Sequence, residues 1–379
     1  MSVTFVNNTA ETFTPTQSGA IATHIWECCR AALQAGIEPL VVGMRSQGEP
    51  YHGVRSLLLN YPWVPQHPLL VKVLRAERKL TGWRHLRQRN FAFRIADALR
   101  ESGAGTGTLI LHNDPELAVL LRDKFPSAFI VHHFHNLLEC KPRFRRRFRG
   151  AVNSITAVSD FTSRWIENYY GCGTVATIYN GVDVERFTPA VESNADKPLI
   201  NFTGRTGIEK APDLLLRSAC LLVRKTKAFR LQLLGSNHWQ KFEWDEYQYM
   251  LKDLSDQLER AGVTVDRAGH IDRASLPGRL QKADIHVVPS RWDEPFGLVT
   301  AEGMACGLAT VASRTGGTPE LVGDAGLLFE RDAVEELAGH LYQLVTNRDM
   351  RLDYGRKARE RAEKFTWKQT WEGFNTAIS

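Results

Sequence analysis

The 379-residue chain contains no apolar run that reaches the roughly eighteen residues a membrane span requires. Its opening residues, Met1 to Asn8, read as a short strand and not as a signal peptide, so a cytoplasmic protein is expected. Cysteine is sparse, and the six thiols at positions 28, 29, 140, 172, 220 and 306 form no C-x-x-C pair and have no His-rich partner cluster. A zinc site or a disulfide framework is not expected, and reduced thiols are the simpler reading. The twelve histidines are scattered, apart from His132, His133 and His135. No internal repeat and no low-complexity tract is present, which removes solenoids and disordered arrays from consideration.

What is present is an ordinary globular composition, 43% hydrophobic and 24% charged, at a length that suits two domains of just under 200 residues. The net charge of +6 is unevenly placed. Residues 69 to 100 hold nine Lys or Arg against two acids, and Lys141 to Arg149, KPRFRRRFR, hold six against none. The other 33 basic residues face 40 acids, so the basicity is local to the first half. Residues 69 to 100 have the spacing of one or two amphipathic helices, which could be a solvated face of their own domain or could rest on an anionic membrane surface. Phe144 and Phe148, interleaved with arginines, strengthen the membrane reading. Nucleic acid ranks lower as a partner, because no recognition motif accompanies the charge.

The richest stretch is Ile285 to Pro319, IHVVPSRWDEPFGLVTAEGMACGLATVASRTGGTP. Ile285 to Val288 and Ala309 to Ala312 read as buried parallel strands, with a helix between them entered after Pro295-Phe296-Gly297 and stopped near Gly307. In such a unit the loop after the strand and the helix N-terminus favour an anion, here near Gly297 and Leu298. Glu294 and Glu302 flank that point, and carboxylates suit the paired hydroxyls of a sugar or a ribose. As a bare E-x7-E the pair would pass for ordinary helix-start acids.

The setting is more specific than the pair. The string PSRWDEPFGLVTAEGMACG followed by TGGTPELV resembles the retaining glycosyltransferases of the GT-B fold, in particular the large family 4. That resemblance implies two Rossmann-like α/β domains facing across a cleft, with a C-terminal helix, FTWKQTWEGF, crossing back to the first. It also implies that Glu294 contacts the transferred sugar, that Glu302 contacts the ribose, and that backbone amides near Phe296, Gly297 and Leu298 meet sugar and phosphate. Residues 1–185 would form the acceptor-side domain, the polar stretch 186–198 a linker, 199–364 the nucleotide-sugar domain, and 365–379 the returning tail.

Val3 to Val6, a loop ending at Gly19, a helical stripe from Ile21 to Leu33 and Pro39 to Val42 make a β-loop-α-β unit. SGAIATHIWECCRAAL resembles the family's glycine-rich first loop without its usual second Gly, leaving Gly19 to approach a phosphate or acceptor. Thr108 to Leu111 and Ala128 to His132 are strands that end in histidines, a position that points to a crevice in α/β domains. In the family a His here faces the donor sugar, and FHN makes His135 the first choice and His133 the second. SITAVSDFT and VATIYNGVD resemble the last strands of that domain, placing Ser159 and Asn180 to Asp183 at the junction.

In the second half Gly204, Arg205 and Lys210 follow the strand Pro198 to Phe202. Family 4 enzymes carry an Arg and a Lys here that grip the donor diphosphate, and Ala211 replaces the usual Gly after the Lys. The physical case is independent, since a diphosphate leaving group needs positive charge as the glycosidic bond breaks. Gly235 and Gly269 each follow a strand and could line the nucleotide pocket, with Asp272 to Leu280 at the base edge.

The expected activity is transfer of a hexose-type sugar, with retention, from a UDP- or GDP-sugar to a saccharide or lipid-linked acceptor in polysaccharide or lipopolysaccharide synthesis. No cofactor and no essential metal is expected, and attachment could extend to the inner face of the plasma membrane. The alternatives are an epimerase or phosphorylase of the same fold, and a non-catalytic basic membrane- or nucleic-acid-binding module.

Overall fold

A computed structural model of the chain describes residues 2–9, 11–15, 19–46, 48–60, 86–190, 197–237 and 244–379. It divides into two compact units, one formed by Met1–Gly181 with Trp367–Ser379 and the other by Val182–Thr366.

In the first unit the strands are β1 (Val3–Val6), β2 (Leu40–Met44), β3 (Arg55–Leu59), β4 (Thr108–His112), β5 (Phe129–Phe134), β6 (Ser154–Ala157) and β7 (Ala176–Thr177). They form one sheet in the order β3-β2-β1-β4-β5-β6-β7. Every pairing is parallel. Parallel strands need crossovers, and α1 (Ala20–Gln34), α2 (Leu86–Glu101), α3 (Pro115–Lys124), α4 (Pro142–Ala151) and α5 (Asp160–Tyr170) supply them. The strand order reverses between β1 and β4, the switch point at which such sheets open a crevice. Of the basic tract 69–100, residues 69–85 lie outside the described residues, while α2 buries Phe91 and Ile95 completely.

The second basic tract forms α4. Phe148 is fully buried and Phe144 packs against the same core, so both phenylalanines anchor the helix to its own unit. Two of the tract's arginines are also engaged: Arg145 lies over the Tyr169 ring at 4.7 Å, and Arg149 donates to the carbonyls of Tyr170 and Gly171. The amphipathic pattern therefore serves the core, with Phe148 wholly and Phe144 partly withdrawn from the surface. Among the described residues no helix is long and apolar enough to cross a membrane.

The second unit holds β8 (Leu199–Thr203), β9 (Arg230–Leu234), β10 (Val265–Gly269), β11 (Ile285–Val288), β12 (Ala309–Ser313) and β13 (Leu327–Phe329), in the order β10-β9-β8-β11-β12-β13. All of its pairings are parallel as well. Its helices are α6 (Pro212–Leu222), α7 (Glu246–Arg260), α8 (Leu276–Leu280), α9 (Leu298–Ala305), α10 (Thr318–Val322), α11 (Val334–Thr346) and α12 (Arg348–Ala362). The reversal here falls between β8 and β11, the two strands whose following loops carry Arg205, Lys210 and Glu294.

The last helix, α13 (Trp367–Ile378), belongs to the first unit. Phe374 on it is fully buried, 6.1 Å from the Phe5 ring and 5.0 Å from the His133 ring. Thr370 donates to the Tyr179 carbonyl at 2.9 Å.

Candidate functional site

Three glycines end the neighbouring strands β8, β9 and β10. Gly204 has φ +154°, Gly235 has φ +138°, and a Cβ on Gly235 would lie 1.8 Å from the Gly204 carbonyl oxygen. No side chain can share that space, so the strand ends present bare backbone. Beside them is a cavity of about 430 Å³ lined by Thr206, Ser236, Trp244, Arg267, Gly269 and His270 among others, within the range of small-ligand sites.

The loop after β8 turns through Arg205 and Lys210 into α6. Its last residue before the helix, Ala211, is fully buried with φ +52° and ψ +47°, a left-handed conformation that a Gly adopts without cost. The Glu209 carbonyl accepts from the amides of Arg291 and Trp292 at 2.9 and 3.1 Å, which ties this loop to the one after β11. Arg291 also grips Asp213 with two bonds of 2.8 and 2.9 Å. Bidentate pairing of a guanidinium with a nearly buried carboxylate fixes both in orientation.

That fixed loop pair brings Lys210 to Glu294. The Lys210 ammonium donates to Glu294 Oε1, and the Ser290 hydroxyl donates to the same oxygen at 2.6 Å. Gly316 and Gly317 hold the Glu294 backbone from the other side: the Gly317 amide donates to its carbonyl at 2.7 Å, and a Cβ on Gly316 would come within 2.2 Å of that oxygen. The TGG run of the sequence is thus a cradle for one glutamate. Arg205 pairs with Glu209 at 3.0 Å and is more than half exposed.

Gly297 adopts φ +91° as the cap of α9, and Leu298 is the helix's first residue. Phe296 turns its ring into the core, 5.9 Å from that of Phe365, so only its backbone remains for a ligand. Glu302 is 1% exposed, with Oε1 accepting from Arg273 at 2.7 Å and Oε2 without a partner. A buried carboxylate oxygen left unpaired is costly, and a ligand hydroxyl would complete it. Beneath it, Gly303 lets α9 close onto β11, since a Cβ there would meet the His286 ring at 2.3 Å. Ser290 and Arg291 were not among the residues singled out by sequence, and Arg273 entered only within the stretch Asp272 to Leu280; their partners lie up to 83 positions away.

In the first unit Gly19 caps α1 with φ −81°, so space and not backbone twist demands a glycine. The space is taken by the Glu11 carboxylate, whose oxygens would lie 2.8 and 3.0 Å from a Cβ. Burial pushes the Glu11 carboxyl up from its ordinary pKa, against backbone donors at Ala22 and Gly19 that lower it. Ser159 caps α5 by accepting from the Thr162 amide at 3.1 Å.

His112, His132 and His133 are fully buried and His135 is 8% exposed. Position at a strand end suggested a crevice. Instead His24 from α1 covers the His112, His133 and His135 rings, Phe374 from α13 covers those of His112 and His133, and Phe134 and Phe148 pack on His132. His133 bonds Thr156 at 2.8 Å, and His135 Nε2 lies 3.0 Å from His112 Nδ1. Burial, reinforced by the neighbouring imidazoles, holds His135 well below the usual histidine range.

A family model described as "Glycosyl transferases group 1" matches residues 183–361, and one described as "Glycosyltransferase Family 4" matches residues 21–186. A D-inositol 3-phosphate glycosyltransferase of Thermobifida fusca is 30% identical over 276 residues, 65% of this chain and 63% of that one. The chain spans about half the length of the next two curated relatives. Among solved structures, sucrose-phosphate synthase of Thermosynechococcus elongatus superposes with a TM-score of 0.75 at 18% identity, covering 99% of this chain and 98% of that one. HepE of Anabaena in complex with UDP gives 0.72 at 18% identity, covering 99% of each. These likenesses show the fold.

Proposed function

Because the chain belongs to the family 4 glycosyltransferases, we propose that it transfers a hexose-type sugar from a nucleoside-diphosphate sugar to a saccharide or lipid-linked acceptor, with retention at the anomeric carbon. The observation that carries this reading is the stitched loop pair of the second unit, which sets a cation, a hydroxyl and a carboxylate at one point: Lys210, Ser290 and Glu294. Around it lie bare strand ends and the first turn of α9, all suited to phosphate.

In the proposed site Arg205 and Lys210 face the diphosphate. As the bond between the anomeric carbon and the phosphate oxygen breaks, negative charge grows on the leaving group, and fixed cations stabilise it without reorganising. They would supply the charge that a divalent metal supplies elsewhere. Glu294 accepts from hydroxyls of the sugar, and a Lys210 that leaves Glu294 for the phosphate frees one of its oxygens. Glu302 offers its unpaired Oε2 to the ribose, and the base occupies the cavity beside Gly235 and Gly269. UDP bound to HepE, and the inositol phosphate in the names of curated relatives, support a nucleotide-sugar donor and a polyol or saccharide acceptor. No proton transfer is assigned to His135, whose neutral ring is engaged with His112.

The test is incubation with a panel of UDP-, GDP- and ADP-sugars, reading nucleoside diphosphate release and melting temperature. One donor should be hydrolysed slowly, faster with acceptor, and should raise Tm. Release of sugar 1-phosphate would point to a phosphorylase. Isomerised donor would point to an epimerase. A panel with no turnover and no Tm shift would overturn the proposal.

A further inference from the structure

Separate from the donor chemistry, three imidazoles converge at the switch point of the first unit. His24 comes from α1, His112 ends β4 and His135 follows β5. One ring nitrogen of each lies within 4.8 Å of the other two, and His112 Nδ1 is 3.0 Å from His135 Nε2. In a tetrahedral site with metal–nitrogen bonds of about 2.0–2.1 Å, ligand nitrogens sit roughly 3.4 Å apart. The observed spacings bracket that value, and small ring rotations would reach it.

The surroundings match what a metal-bound imidazole requires. Burial lowers His24 to about 4 and holds His112 and His135 well below the ordinary range, so all three are neutral near pH 7 and have lone pairs to give. The His24 Nδ1 lies 2.7 Å from Asn180 Oδ1, an outer contact that fixes the proton on Nδ1, while the Nε2 lone pair has only the weak Cys28 thiol donor at 3.5 Å to give up. Asn113 Oδ1 accepts from the His135 backbone amide at 2.8 Å, which holds the main chain there, and Phe5 stacks on the His112 ring at 5.9 Å. His112 Nε2 is buried with no partner, as is Nε2 of the adjacent His133. These are the far nitrogens of rings whose Nδ1 atoms are engaged, with His135 and with Thr156.

We propose that His24, His112 and His135 bind one late first-row divalent cation, zinc foremost, and that this ion ties α1 to the ends of β4 and β5. Three neutral nitrogens select such ions over magnesium or calcium, which take oxygen. The fourth position is left to a small ligand such as water. The sequence offers no C-x-x-C pair and no His-rich cluster beside its cysteines, so zinc is not expected from it, but the switch point gathers residues 24, 112 and 135 into one place.

The experiment uses the full chain with any affinity tag removed. After chelator treatment and dialysis it is titrated with Zn²⁺ and with Co²⁺. One equivalent should bind, the Tm should rise on zinc addition, and cobalt should show the visible bands of a tetrahedral site. X-ray absorption on the zinc-loaded chain should report three imidazole nitrogens at about 2.0 Å. His112→Asn and His135→Gln should lose the equivalent, while His132→Gln, buried but outside the triad, should keep it. Asn180→Ala should weaken binding about 10- to 100-fold, the usual effect of removing such an outer contact. If the triad variants fail to fold, the wild-type chain still decides. No saturable equivalent with an unmoved Tm would mean a hydrogen-bonded imidazole cluster only, and a carboxylate ligand, or fewer than three imidazole nitrogens, in the absorption spectrum would place the ion elsewhere. Either result, or unchanged binding in a folded triad variant, overturns the proposal.

Discussion

His286 offers a test of how the second unit holds its site. It lies in β11, fully buried, with Nδ1 2.9 Å from Asn201 Nδ2, and its ring supports α9 at Gly303 directly below Glu302. Burial lowers its pKa from 6.5 to about 4. A histidine whose folded pKa is depressed binds its proton more readily in the unfolded chain. Its contribution is therefore fully present above pH 6.5 and is lost as the pH falls toward 4. Between pH 6.5 and 5 the loss is 1.5 pH units at about 1.4 kcal/mol each, or about 2 kcal/mol. Other groups titrate over the same interval, so the measurement is a difference. Urea unfolding of the wild type and of His286→Gln is compared at pH 7.5 and pH 5. The wild-type advantage should shrink by about 2 kcal/mol at the lower pH. An advantage equal at both values would show that the ring is hydrated or already charged, and the packing described under Glu302 would be wrong.

Three further outcomes follow from the site. Glu294→Ala should lower transfer by roughly 10²-fold or more while nucleoside diphosphate still binds, because sugar and nucleotide contacts are separate; calorimetric loss of the diphosphate would contradict that division. Ala211→Gly should relieve about 1–2 kcal/mol of left-handed strain against about 0.4–1 kcal/mol of added unfolded-state entropy, for a net gain of about 0–1.6 kcal/mol in urea unfolding; a clear loss would refute it. Gly235→Ala meets a backbone oxygen that cannot step aside, so a cost of about 3 kcal/mol or more, with loss of nucleotide binding, is expected in thermal melts and titration.

The sequence was most legible where the chemistry is local. The strands around Ile285 and Ala309, the glycine cap at Gly297 and the Arg205/Lys210 loop each sit in a short run whose residue types leave few options. Ala211 was visible as a departure, and its positive φ is the physical content of that departure. Partners across the fold were not visible: Arg273 meets Glu302 from 29 residues away, and Asn180 meets His24 from 156. Nothing in local pattern reports such pairs. The histidines at the ends of β4 and β5 were read by the rule that strand ends face a crevice, and for His112 and His133 the returning α13 takes that place with Phe374. Phe144 and Phe148 show the same limit, since an amphipathic stripe does not say whether its apolar side meets lipid or its own sheet.

That returning helix also sets a schedule. A ribosome finishes residues 182–366, a contiguous stretch able to close its own sheet, before it makes Trp371 and Phe374, which complete the core begun at Val3. At about 5–20 residues per second, the 193 positions between Gly181 and Phe374 keep the earlier half waiting for roughly 10–40 seconds. During synthesis the rings of Phe5, His112 and His133 lack their cover, so the unit translated first is the one finished last.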